Sequence, residues 1–196
     1  MNSNLLKTLL VTVLFVSAYS CGTSEDGSEG LGNAGNGGSS SKLGGSYNII
    51  SMISNISVDL NNDGISSFDL LTEIDPAVFS TTIPELEIKP VVVNNQLENM
   101  MSFYLPHSTI TNATPTTPQA VQFTKTGLGY FYEFDDSTQT ISVENNSGGQ
   151  PAVNGHIENI TVVEGNKLQA IFTKYYYDFS VKGWKLLTIT CIYVKI

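Results

Sequence analysis

The chain contains no arginine. All nine basic residues are lysines, against 18 acidic residues, so the formal charge at pH 7 is -9. Without arginine, no side chain can hold a phosphate or a carboxylate with a rigid pair of donors. The acidic balance would repel nucleic acid and anionic membrane surfaces. We therefore expect no nucleic-acid partner.

Histidine is also scarce, and its two copies, His107 and His156, lie in segments without a recognisable nucleophile motif. Neither a Gly-x-Ser-x-Gly nor a His-Glu-x-x-His pattern occurs anywhere in the chain. Two histidines without a further ligand set do not predict a zinc site. These absences predict that the protein is not an enzyme.

Only two cysteines are present, and the first follows a predicted export signal in residues 1–20. Lys7 supplies the positive charge of the signal, and an apolar run over residues 9–16 is too short to span a membrane as a helix. Residues 18–21 (Ala-Tyr-Ser-Cys) resemble a bacterial lipobox, which implies that Cys21 is the acylated N-terminus of an outer-membrane lipoprotein, facing the periplasm or the cell surface. The alternative is ordinary secretion with a free thiol at Cys21.

The second cysteine, Cys191, lies in an apolar, alternating segment, so we expect a buried thiol and no disulfide. Residues 21–45 are dominated by glycine and serine and predict a flexible tether. The folded domain is predicted over residues 46–196, which is long enough for one hydrophobic core.

Alternation and turn residues predict a mainly β domain of eight or nine strands. The predicted strands cover residues 47–60, 86–93, 97–105, 120–126, 128–134, 138–144, 156–163, 168–179 and 184–196. The predicted connections are turns at Asn94-Asn95, residues 135–137, Gly165-Asn166 and Lys182-Gly183, with loops at 108–119 and 145–151. Consecutive hairpins of this kind close most simply into an antiparallel up-and-down barrel.

A carboxylate-rich loop follows the first predicted strand. Asp59, Asn61 and Asp63 alternate before Gly64, as in the first half of a calcium-binding loop. In that interpretation Ile65 offers its carbonyl and Asp69 closes the site, which makes calcium the one predicted cofactor.

The alternative for the same residues is a structural turn followed by a capped helix. Asp and Asn side chains bond to nearby backbone amides in turns. Ser66 and Asp69 have the spacing of a capping box. One short helix is predicted after them, from the spacing of Phe68, Leu71 and Ile74.

Several of these segments are similar to lipocalin-like bacterial lipoproteins. The resemblance rests on Gly45-Ser46-Tyr47, on the antiparallel meander and on the terminal residues 194–196. It is strongest in residues 58–64 and in the following segment 70–74. The resemblance implies a lipocalin-like barrel, and it contributes architecture more than function.

Two pairs of tyrosines are candidate ligand contacts. Tyr130 and Tyr132 share one face of a predicted strand, and Tyr175 and Tyr177 share a face of another. The alternative is that these rings pack the core. We expect a non-enzymatic barrel that binds an apolar ligand, a glycan or a protein partner, or else a calcium-stabilised interaction module with a filled interior.

Overall fold

The structure is a computed structural model, and it describes residues 40–111, 120–144, 154–164 and 167–196. The predicted signal, Cys21 and most of the predicted tether lie outside these residues. So do the predicted loop 145–151, the turn Gly165-Asn166 and most of the predicted loop 108–119.

The described residues form nine strands, two one-turn helices and a 3₁₀ turn. In chain order these are α1 (Ser40–Leu43), β1 (Gly45–Val58), β2 (Ser67–Asp69), α2 (Leu70–Glu73), the 3₁₀ turn (Pro76–Val78), β3 (Leu86–Val93), β4 (Gln96–Thr111), β5 (Ala120–Asp135), β6 (Thr140–Val143), β7 (His156–Val163), β8 (Lys167–Asp178) and β9 (Gly183–Lys195).

The strands form one antiparallel sheet that closes into a barrel-like ring, as the sequence predicts. β3 to β9 follow one another in order, and β1 joins β3 on one side and β9 on the other. The β1–β9 pairing runs from Tyr47–Lys195 to Ser54–Ile189. β1 leaves β3 after only three residue pairs, and its second half pairs with β2 instead. The ring therefore has eight strands, with β2 beside it.

Backbone geometry explains the confirmed turns. Asn94 and Asn95 have φ angles of 52° and 63°, the left-handed pair that a two-residue hairpin requires and that asparagine tolerates well. Asp135 accepts hydrogen bonds from the backbone N–H and the hydroxyl of Ser137, which hold the next predicted turn and lower the pKa of this exposed carboxyl. Local φ angles and side-chain hydrogen bonds therefore determine where these two hairpins turn.

The interior of the ring is filled with aromatic side chains. Phe103 contacts Phe172 edge-to-face with ring centroids 5.1 Å apart, and it packs similarly against Tyr130 and Tyr193. Cys191 is fully buried in the same core, as predicted, and burial raises the pKa of its thiol to about 12. The thiolate, which is the reactive form, is therefore suppressed.

Three local predictions were wrong. Residues 108–111 were assigned to a loop but extend β4, because each pairs with a residue of β5, as in Ile110–Val121. The predicted break at Gly127 is absent, since β5 runs through it and Gly127 lies against the ring of Tyr104. Strand β2 was not predicted; three residues are too few for alternation to show.

The short helix α1 lies in the last residues of the segment predicted as a tether. Its Leu43 is buried, and the Tyr47 hydroxyl donates to the Leu43 carbonyl at 2.6 Å. Lys42 forms an ion pair with Asp136 across the surface. These contacts fix α1 to the domain just before β1 begins.

Candidate functional site

The acidic loop at the end of β1 is held by its own hydrogen bonds. Both carboxylate oxygens of Asp59 accept backbone N–H groups, from Asn62 at 2.7 Å and from Gly64 at 3.1 Å. The Asn61 side-chain oxygen accepts from the Asp63 N–H, and the Asp63 carboxylate accepts from the Ile65 N–H. This is the hydrogen-bonding pattern of the structural-turn interpretation.

Asp69 does not form the predicted capping box with Ser66. It is itself the N-cap of α2, and its carboxylate accepts from the Leu71 N–H at 3.0 Å. The helix therefore starts one turn later than the capping-box spacing implies. The side chain of Ser67, not Ser66, accepts from the backbone N–H of Asp69.

The loop is nevertheless electrostatically crowded. Glu73 is buried and accepts the Leu60 N–H at 2.9 Å. Burial raises the pKa of Glu73, and the charges of Asp63 and Asp59 raise it further. Within the described part of the chain, no three acidic, histidine or cysteine side chains are grouped closely enough to hold a metal ion. Asp59 and Asp63 would have to leave their backbone partners to ligate calcium.

The two candidate tyrosine pairs lie on opposite faces of the sheet. Tyr130 and Tyr132 point into the ring, and burial raises the pKa of Tyr132 to about 12. Tyr175 and Tyr177 lie outside, where Tyr177 packs edge-to-face against Phe179 and Trp184. The four rings therefore do not form one site.

A cleft of about 380 Å³ opens between β6 and β7. Its lining consists of Tyr130, Ile141, Val143, Glu144 and residues 156–160. The volume is within the range of small-ligand sites. Of the two candidate pairs, only Tyr130 contributes to this cleft.

The cleft lies where two neighbouring strands of the ring share the fewest residue pairs among the described residues. β6 and β7 share the single residue pair Thr140–Thr161, whereas all other neighbouring ring strands share three or more among the described residues. No further residue of β6 pairs with β7 in the described part of the chain. Between the 3₁₀ turn and β5 is a second cleft, of about 370 Å³, in which Lys125 is already paired with Glu85.

Five consecutive residues of β7, 156–160, line the β6–β7 cleft. Successive side chains of a strand point to opposite faces, so a cavity on one face of the sheet would be lined by alternate residues. A β-bulge between Ile157 and Asn159 interrupts this alternation and leaves Glu158 without a pairing partner on β8. The cleft lies beside this bulge, at the side of β7 that faces β6. The Ile157 N–H faces this opening and donates to the Tyr130 hydroxyl at 3.0 Å. A side chain thus satisfies a donor that a neighbouring strand would otherwise satisfy.

The charged groups of the β6–β7 cleft are of one sign. Glu144 and Glu158 line it, together with His156 and Asn159, and no lysine does. Glu158 accepts a hydrogen bond from the Thr173 hydroxyl at 2.8 Å. Burial raises the pKa of Tyr130, and the charge of Glu158 raises it further, while the bond from Ile157 lowers it. The lining therefore combines the buried side chains of Ile141 and Ile157 with the exposed carboxylates of Glu144 and Glu158.

Comparisons with known proteins give no family for this chain. Neither the protein-family models, nor the curated proteins, nor the solved structures contain a match to it. In the described ranges, no helix has the length and apolarity needed to cross a membrane.

Most residues of the β6–β7 cleft were not predicted as site residues. The sequence contained no clear signal for it, because the strand predicted over residues 138–144 is nearly as long as β7, and only the structure limits it to Thr140–Val143. A four-residue strand cannot pair along all of the eight-residue β7. An open edge is the geometric consequence of that mismatch.

Proposed function

We propose that the chain is a non-enzymatic binding protein, anchored to the bacterial outer membrane by acylation of Cys21, whose lipocalin-like domain takes up its ligand in the β6–β7 cleft. The anchor is supported by the export signal and by the lipobox-like residues 18–21. An acylated cysteine at the end of a tether would leave the domain free to meet a ligand or a partner near the membrane.

The observation that carries the binding proposal is the cleft itself, at a point where the described residues of two neighbouring ring strands share a single pair. Elsewhere the interior is occupied by Phe103, Phe172 and Tyr193, all fully buried. A ligand therefore has room at the strand gap and not in the centre of the ring. The exposed carboxylates of Glu144 and Glu158 beside buried isoleucines supply polar and apolar contacts for such a ligand.

Ligand-observed NMR with a fragment library tests this proposal. Val143 is half-buried in the cleft wall, so Val143→Trp would fill the cleft. Val92 is 71% exposed on β3, so Val92→Trp is the matched control. We expect fragments that bind the wild type and Val92→Trp but not a folded Val143→Trp. Fragments that bind all three proteins equally would place binding elsewhere and refute the proposal.

The second candidate is a calcium-stabilised interaction module, and the crowding of Asp59, Asp63 and Glu73 favours it. A cation bound by Asp59 and Asp63, once their carboxylates had left their backbone partners, would relieve that repulsion. Calcium at a hundredfold excess over its dissociation constant would then stabilise the fold by about 2.7 kcal/mol, or several degrees of melting temperature.

Thermal unfolding with calcium and with chelator measures this effect. Asp63→Asn keeps an oxygen for the Ile65 N–H while removing the charge, so it should abolish the calcium effect and leave the turn intact. A melting temperature that does not respond to calcium up to about 10 mM, above the range of extracellular modules, would leave the loop as a structural turn.

A further inference from the structure

The open edges of β6 and β7 have the form of a site for an additional strand. Glu144 donates its N–H to the Phe131 carbonyl of β5 at 2.9 Å. In an antiparallel ladder, successive residues direct their backbone groups to opposite sides. The N–H and C=O of Val143 therefore point away from β5 and toward β7, where no described residue pairs with Val143.

On the opposite edge the backbone donor is already used, so an added strand would have to replace the Tyr130 hydroxyl as the acceptor of the Ile157 N–H. The Ile157 N–H, which a neighbouring strand would receive, is bonded to the Tyr130 hydroxyl instead. The five residues 156–160 that line the cleft extend for about 17 Å at the rise of a strand. That length accommodates about five residues of an extended chain.

Charge identifies the kind of chain that fits. Glu144 and Glu158 lie on the two sides of the β6–β7 cleft, and no lysine lines it. A strand that lies between them places alternate side chains near these carboxylates and the others toward apolar residues such as Ile141 and Ile157. Basic residues alternating with apolar ones match both surroundings.

We propose that the β6–β7 cleft binds an extended peptide segment of a partner protein, with basic and apolar residues in alternation, as an added β-strand. This inference rests on the proposed function of the same cleft and specifies its ligand. In such recognition, main-chain hydrogen bonds provide affinity and the side-chain surroundings provide specificity. A peptide that lacks main-chain donors, or that carries acidic residues, should bind poorly.

The test is fluorescence anisotropy of the full chain with a labelled Lys-Val-Lys-Val-Lys peptide. Two matched peptides serve as controls: the same sequence with both valines N-methylated, and Glu-Val-Glu-Val-Glu. We expect saturable binding of the basic peptide, weakened at least about tenfold by either change. Equal binding of the N-methylated peptide would overturn strand addition, and equal binding of the acidic peptide would overturn the charge assignment.

Protein variants locate the binding. Val143→Trp should weaken the binding of the basic peptide at least about tenfold, and Val92→Trp should leave that affinity unchanged. The isosteric double variant Glu144→Gln/Glu158→Gln keeps the cleft open and should remove the preference for the basic over the acidic peptide. Glu98→Gln, outside the cleft, is its control. A preference that the double variant retains would overturn the inference.

Other occupants give different outcomes. Fragments that bind in the cleft while no peptide binds would overturn this inference and leave the proposed function standing. The absence of both fragment and peptide binding would overturn the two together. A dimer by light scattering that Val143→Trp dissociates would identify a second copy of the chain as the occupant, and would also overturn the inference.

Discussion

The side chain of Lys174 gives the clearest quantitative prediction. It projects into the ring from β8 and has no exposed surface, and its ammonium lies 5.7 Å from the centre of the Tyr176 ring. Burial lowers the pKa of Lys174 from 10.5 to about 8. The folded protein therefore binds this proton less tightly than the unfolded chain does.

The direction of the pH effect follows from that difference. Between the folded pKa of about 8 and the unfolded value of about 10.5, the unfolded chain binds more protons, so the free energy of unfolding rises with pH. The full pKa difference of Lys174 corresponds to about 3 kcal/mol of unfolding free energy. The unfolding free energy should rise by about 2 kcal/mol of this amount between about pH 7 and pH 9.5.

Other groups act in the opposite direction at high pH. Burial raises the pKa of Cys191 and of Tyr132, so their contributions to stability are lost as the unfolded chain ionises. The comparison is therefore between the wild type and Lys174→Met, in which these contributions cancel. We expect the unfolding free energy of the wild type, relative to the variant, to rise by about 2 kcal/mol over that range.

Urea unfolding followed by circular dichroism at several pH values measures this difference. Lys89→Met is the control, because Lys89 is exposed on β3 and pairs with Glu87 at the surface. Its stability relative to the wild type should not vary with pH over the same range. A constant difference between the wild type and Lys174→Met would refute this reasoning, since it would mean that the folded protein stabilises the Lys174 ammonium as well as water does.

Two further predictions concern an ion pair and the anchor. The Lys125 ammonium and the Glu85 carboxylate are 2.7 Å apart, and their side chains are only 6% and 3% exposed. Lys125→Met should therefore lower the free energy of unfolding, measured in urea, by about 3–5 kcal/mol. The double variant Glu85→Gln/Lys125→Met should recover part of that loss. Lys89→Met breaks an exposed pair worth under about 1 kcal/mol. If Lys125→Met costs no more than this, the Glu85 carboxylate is not left as an uncompensated buried charge. Cys21→Ala should release the protein from membranes on fractionation, because stable anchoring depends on the acyl chains that Cys21 would carry. A Cys21→Ala protein that still sediments with membranes would show that Cys21 is not the anchor.

The sequence by itself determined where most strands begin and end. β7 begins and ends at its predicted residues, and the Asn94-Asn95 turn is where it was predicted. These features depend on side-chain alternation and on the φ angles that asparagine tolerates, and both act over a few residues. The same local rules failed at residues 108–111, where long-range pairing with β5 extends the strand.

The tertiary structure alone decided which face of each strand is inside. In β8 the sequence alternates Tyr175 and Tyr177 with Tyr176, and either set could fill a core. Tyr176 is inside, because its hydroxyl reaches the Pro106 carbonyl across the ring at 2.6 Å, and this orientation also buries Lys174. The β6–β7 cleft has the same origin: it exists because two consecutive strands share only one residue pair among the described residues. Alternation defines two faces of a strand, but only its packing partners determine which face is buried and which edge stays open.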